Sequence, residues 1–137
     1  MSTTPMPRIP ANSLVMVADG NGARMFRNAG TDFRLSLHQD GVLEPTDIND
    51  DGPAGVMPPE SGMRIDEATF AKQLAHRLNE GALRQEYDHV VLVADPRTLG
   101  QMRPLLHKEV GQRMVAEVSK TLTRSPLPDI ERALSAS

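Results

Sequence analysis

Apolar and polar positions alternate along this chain in two distinct rhythms. Leu14-Val15-Met16-Val17-Ala18 is a continuous apolar run closed by Asp19-Gly20-Asn21-Gly22. Such a run bounded by turn residues predicts a strand buried on both faces. Ala23-Arg24-Met25-Phe26-Arg27 predicts a second strand, ended by Asn28-Ala29-Gly30, and the short connection predicts an antiparallel hairpin. Phe33, Leu35 and Leu37 alternate with Arg34, Ser36 and His38, the period of a third strand with one wet face. Three strands joined by short turns predict a meander.

Residues 39–65 lose all periodicity and collect six carboxylates, four Gly and four Pro. They predict a long acidic loop, either functional or simply solvated. A helix follows. Asp66 is placed to cap it, Glu67 suits the positive end of its dipole, and Ala71, Leu74, Ala75, Leu78 and Ala82 form one apolar stripe. Val90-Val91-Leu92-Val93-Ala94 predicts a central strand, reached by a parallel crossover. Asp95-Pro96 ends it. A helix is expected from about Arg97 or Thr98, where Thr98 and Gln101 have capping-box spacing, and Pro104 should kink or split it. Met114, Ala116 and Val118 predict a last strand, and residues 128–134 a closing helix. The order β-β-β-α-β-α-β-α describes a single α/β domain with a mixed sheet and an N-terminal antiparallel meander. Its expected limits are residues 13–134, after a disordered tail over 1–12 that carries three Pro, with a frayed end over 135–137.

Length and composition narrow the chemistry. The chain has 137 residues, enough for one core; 39% are hydrophobic and 24% charged. Aromatics are 3%, which argues against base-stacking or sugar-stacking platforms. The absence of Cys excludes disulfides, thiolate metal sites and thiol catalysis. No apolar run is long enough for a signal peptide or a membrane span, so the expected location is the cytoplasm. Net charge is −3, but it is unevenly spread. Residues 97–124 hold six basic side chains against Glu109 and Glu117, whereas residues 1–66 hold five basic and nine acidic ones. One basic edge on an acidic molecule suits contact with phosphates, and a solvated face is the plainer account of the same charges.

Two aspartates stand out. Val15-Met16-Val17-Ala18-Asp19 echoes Val91-Leu92-Val93-Ala94-Asp95, so both runs end in Asp. If the strands are parallel neighbours, Asp19 and Asp95 flank the crevice where α/β proteins often bind ligands, and two carboxylates there could hold Mg²⁺. Alternatively Asp19 opens a turn and Asp95 caps a helix. Gly20-Asn21-Gly22 is no phosphate loop, since it has no Lys and leads into a strand. His38, His76, His89 and His107 are scattered, without the i, i+4 pair of a helical zinc site, and no Gly-x-Ser-x-Gly elbow occurs. No cofactor is implied.

Four segments together resemble a known family. They are Val15 to Phe26 (Val-x-Val-Ala-Asp, then Ala-Arg-x-Phe), and Phe70-Ala71 with Leu74-Ala75 and Leu78. The third runs from Val91 through Pro96-Arg97-Thr98-Leu99-Gly100 to Arg103, and the fourth is Val118-x-Lys120-x-Leu122-Thr123 before Pro126. The pattern resembles the host attachment protein family of bacteria. That family is similar in fold to the middle domain of archaeal and eukaryotic peptide-release factors. The resemblance implies a mixed α/β sheet and a link to ribosomes or tRNA. Release factors of that kind carry a Gly-Gly-Gln loop before the first long helix. Here residues 39–65 fill that place without one. Leu14 replaces a frequent aromatic and Thr121 a usual Asp.

The expected function is thus a non-enzymatic intracellular binding module of the host attachment family, touching the ribosome, tRNA or a protein and affecting attachment indirectly. Arg24, Arg97, Arg103, Lys120 and Arg124 are the expected phosphate or partner contacts. The alternative is a metal-dependent phosphoryl transferase, or a degenerate release-factor-like hydrolase, using Asp19 and Asp95. A homodimer through the open edge of the meander is a further expectation.

Overall fold

A computed structural model describes residues 8–31, 34–44 and 66–135. Five strands form one sheet: β1 (Leu14–Asp19), β2 (Gly22–Asn28), β3 (Leu37–Leu43), β4 (Val90–Ala94) and β5 (Met114–Ser119). Their order across the sheet is β3-β2-β1-β4-β5. The β1–β2 and β2–β3 pairs are antiparallel, whereas β1–β4 and β4–β5 are parallel. The helices are α1 (Glu67–Leu83), α2 (Pro96–Met102), α3 (Lys108–Arg113) and α4 (Leu127–Ser135). The domain is therefore α/β with a mixed sheet, a meander on one side and two parallel crossovers on the other.

The continuous apolar runs explain why β1 and β4 are central. Leu14, Met16, Ala18, Val90, Leu92 and Ala94 face a core built with Phe70, Leu74 and Leu78 of α1, Leu99 and Met102 of α2 and Val110 of α3. Val15, Val17, Val91 and Val93 face the other way, onto Ile130 and Leu134 of α4 and Phe26 of β2. Both sides of these two strands are covered, which is the condition under which a strand need not alternate. Ile130 and Leu134 recur at helical spacing, so α4 presents one apolar stripe to that second core.

Local signals set the helix limits. The Asp66 carboxylate accepts from the Thr69 N–H at 2.7 Å and starts α1. Asp95, one residue after β4, caps α2, with Pro96 at the first helical position. The expected start at Arg97 or Thr98 is thus corrected: Thr98 is the residue capped. Pro104 splits the segment as expected. α2 ends at Met102, a 3₁₀ turn spans Arg103–Leu105, and α3 restarts at Lys108. Tyr87 locks the far end of α1, donating its hydroxyl to the Leu78 carbonyl at 2.7 Å.

Two expectations at the meander change. β3 begins at Leu37, so its last five residues, 39–43, come from the stretch read as the start of the acidic loop. Only Leu37 of this edge strand is buried, and Asp40 forms a bulge between the pairs Met25–Gly41 and Phe26–Gln39. The bulge interrupts alternation, so the strand carries no clear period-two signature. Phe33 and residues 45–65 lie outside the described residues.

Residues 8–12, ahead of the expected domain start, also pack on the sheet. Ile9 is buried against the α4 side of the sheet, and the Asn12 N–H donates to the Asn28 carbonyl. Buried Asn28 is the hub of this corner. Its amide donates to the Ile9 and Thr31 carbonyls at 3.0 and 3.2 Å, while its carbonyl oxygen accepts from Gly30 and Ser36. Residues 1–7 lie outside the described set.

Candidate functional site

The carboxyl ends of β1, β4 and β5 meet at one edge of the molecule. Ala18 pairs with Ala94, so Asp19 and Asp95 leave adjacent parallel strands side by side. The β1 connection turns back into β2, whereas the β4 connection enters α2, and the two loops diverge around the strand ends. β5 continues its pairing one residue further, since the Lys120 N–H donates to the Ala94 carbonyl at 3.0 Å. This hydrogen bond places Lys120 beside the end of β4.

Both aspartates have structural partners. Asp19 Oδ1 accepts from the Asn21 N–H at 2.7 Å, an Asx turn that opens the β1–β2 hairpin. Its Oδ2 accepts from the Thr123 hydroxyl at 2.7 Å. Asp95 Oδ1 accepts from the Thr98 hydroxyl at 2.6 Å and Oδ2 from the Thr98 N–H at 3.2 Å. The turn and the cap seen in the sequence are thus both present. Among the described residues no group of three His, Asp or Glu is arranged to hold a metal ion.

The five expected cations separate by what they touch. Arg24 is a clasp. Its Nη1 donates to the Thr123 carbonyl at 3.2 Å and the Ser125 carbonyl at 2.7 Å, and its Nε and Nη2 donate to Gln39. The guanidinium lies 5.0 Å from the centre of the Phe26 ring. Arg103, in the 3₁₀ turn, donates to Glu117 of β5 at 2.8 Å and ties the helical layer to the edge strand. Arg97 sits at the start of α2, 77% exposed, with Glu67 at 4.0 Å. That separation in water contributes little to stability. Lys120 and Arg124 are exposed, and neither side chain has a hydrogen-bond or ion-pair partner among the described residues.

The result is a pinned loop that carries an exposed charge. Residues 121–126 cross from the end of β5 to the β1–β2 hairpin, held by Asp19 from one side and Arg24 from the other. Thr123 supplies both attachments, through its hydroxyl and its carbonyl. Arg124, the next residue, is held at the rim of a cleft of about 290 Å³ between this loop, Asp19, Arg24 and the end of β3 at Leu43 and Glu44. Glu67 lies over Gly20 at the same edge; a Cβ on Gly20 would sit 2.6 Å from the Glu67 side chain.

Sequence reasoning missed Thr123, Gln39 and Glu67 as parts of this edge. A signal for Thr123 was present in the joint occurrence of Val-Ala-Asp, Ala-Arg-x-Phe and Leu-Thr. Asp19, Arg24, Phe26 and Thr123 come from those three pieces and form one bonded cluster. The segment from Val91 to Arg103 is equally structural: Thr98 bonds Asp95, Leu99 and Met102 fill the core, and Arg103 holds Glu117.

No curated protein matches this sequence. The family model described as bacterial archaeo-eukaryotic release factor family 12 matches residues 12–134, which takes in the sheet, the four helices and the whole carboxyl edge. On that span the chain belongs to bacterial archaeo-eukaryotic release factor family 12.

Proposed function

We propose that this domain is a non-catalytic RNA-facing module acting inside the cell, which meets ribosomal RNA or tRNA with the carboxyl edge of its sheet. The observation that carries this reading is the pair of exposed cations without side-chain partners among the described residues, Lys120 and Arg124, at the ends of the strands, on a segment fastened through the Lys120 N–H, Thr123 and Ser125. A fastened loop loses little conformational entropy when its charges meet phosphates. Family membership supports a partner in translation. The sequence contains no Gly-Gly-Gln anywhere, which speaks against peptidyl-tRNA hydrolysis by the release-factor route. An attachment phenotype, as the resemblance implies, would arise indirectly through such binding.

Fluorescence anisotropy with labelled tRNA and with a ribosomal RNA fragment tests this. Each phosphate neutralised contributes roughly −0.7 to the log–log salt slope on single strands, so Lys120→Glu with Arg124→Glu should flatten the slope by about 1.4 and weaken binding at least tenfold. An unchanged slope and affinity would overturn the proposal.

A further inference from the structure

The cleft beside the pinned loop has an interior built from one face of the sheet. Asp19 stands opposite Gly22 in the β1–β2 pair, and Arg24 opposite Val42 in the β2–β3 pair. Residues two apart along a strand share a face, so these four stand on the side where Arg24 holds Thr123 and Ser125. Val42 brings a large apolar side chain that stays 50% exposed. The space of about 290 Å³ is at the small end of the roughly 300–1,000 Å³ typical of small-ligand sites. It suits one flat ring system rather than a stacked run.

The charges of the lining balance. Asp19 and Glu44 are matched by Arg24 and Arg124, which favours a neutral guest over an ion inside the cleft. A nucleotide divides in the same way, into a neutral base and a charged phosphate, and exposed Arg124 stands at the rim. Hydrogen-bonding capacity inside is weighted toward acceptors. The Asp19 oxygens accept one bond each, from Asn21 and Thr123, and keep a further lone pair apiece. Glu44 adds an exposed carboxylate. The Arg24 donors are largely committed to Gln39, Thr123 and Ser125. A guest here must therefore bring donors of its own.

We propose that the cleft takes a single unstacked RNA base bearing an exocyclic amine, cytosine or adenine, while Arg124 meets the adjoining phosphate, a role that rests on the RNA-facing reading of this edge. The amine of cytosine or adenine offers donors to Asp19 and Glu44, whereas uracil sets a carbonyl oxygen in that place, against the carboxylates. No aromatic side chain lines the cleft among the described residues, so hydrogen bonding rather than stacking decides which base is held. A double helix keeps its bases stacked inside and meets only the rim.

Fluorescence anisotropy on the full chain with labelled hexamers of cytidylate and of uridylate tests this, since the two share backbone charge and nearly share size. The cytidylate hexamer should bind at least about fivefold tighter. Gly22→Val fills the cleft without straining the fold: a Cβ there meets the Leu43 carbonyl oxygen at 3.6 Å, an ordinary contact, and valine suits a strand. It should bring the ratio to about one and leave the salt slope, which the phosphate contacts set, unchanged. Glu44→Lys, at an exposed position, should reduce the ratio at least about twofold. Equal binding of the two hexamers, tighter binding of uridylate, or a ratio unmoved by either substitution would each overturn the cleft assignment while the salt-dependent RNA reading stands. Binding of tRNA but of neither hexamer would do the same. Binding of no RNA at low salt would overturn both.

Discussion

Arg24 offers the sharpest test of how the carboxyl edge is built. If its guanidinium is a clasp, then removing it should loosen the loop that carries Arg124. Its bonds to the Thr123 and Ser125 carbonyls, at 3.2 and 2.7 Å, are part-buried and charge-assisted. Hydrogen bonds to charged groups contribute about 1.5–3 kcal/mol each when well shielded. The bonds to Gln39 are exposed and add little. Discounted for partial solvent exposure, Arg24→Ala should cost about 2–3 kcal/mol. For a domain of this size that lowers Tm by about 6–15 °C. Arg24→Lys separates charge from shape. Lysine keeps the positive charge but lacks the planar fork that reaches the two carbonyls through Nη1 and Gln39 through Nε and Nη2 at once. It should lose about half the stability lost by Arg24→Ala and should weaken RNA binding several-fold. Thermal and urea unfolding followed by circular dichroism, with anisotropy on the same samples, measure both effects. An Arg24→Lys protein that matched the parent in stability and RNA affinity would refute the clasp and make Arg24 a simple phosphate contact.

Three further outcomes follow from other parts of the structure. The Thr69 N–H holds the Asp66 carboxyl below its ordinary value of 3.8, so Asp66 stabilises the fold above that pH and loses this contribution as pH falls through its lowered value; Asp66→Asn should keep the cap and show a smaller drop in Tm between neutral and strongly acid pH. Burial pushes the Tyr87 hydroxyl up to about 12, above its ordinary value of 10.0, so its contribution is full below pH 10 and lost as pH rises through 12; Tyr87→Phe should flatten the alkaline decline in Tm, and an unchanged decline would contradict this. With Asp19 and Asp95 occupied by Thr123 and Thr98, millimolar Mg²⁺ or Mn²⁺ should leave Tm unchanged; a rise abolished by Asp19→Asn would restore the metal-dependent reading.

The elements most legible in the sequence are those whose signals are local. The apolar runs at Leu14–Ala18 and Val90–Ala94 are buried on both faces, which their lack of alternation requires. The cap at Asp66 and the break at Pro104 depend on neighbours a few residues away. β3 was displaced because an exposed edge strand needs few apolar residues and because the Asp40 bulge hides its period. The anchoring of residues 8–12 was invisible, since it depends on a buried Asn28 whose bonds go to main-chain atoms. The candidate site divides the same way. Counting cations marks out the basic segment, yet which of them are paired among the described residues depends on pairs remote in sequence. Arg103 meets Glu117 across 14 residues, and Arg24 meets Ser125 across 101. Long-range pairing of this kind leaves no spacing to read.

Sedimentation of a lysate containing the tagged full chain, through sucrose gradients at low and high salt and with or without RNase, bears most directly on the central claim. The account predicts that the parent protein co-migrates with ribosomal particles or tRNA-sized RNA at low salt. High salt or RNase should release it, and the Lys120→Glu, Arg124→Glu variant should run as a small free species throughout. A parent protein that ran free at low salt, or a variant that co-migrated as well as the parent, would contradict it.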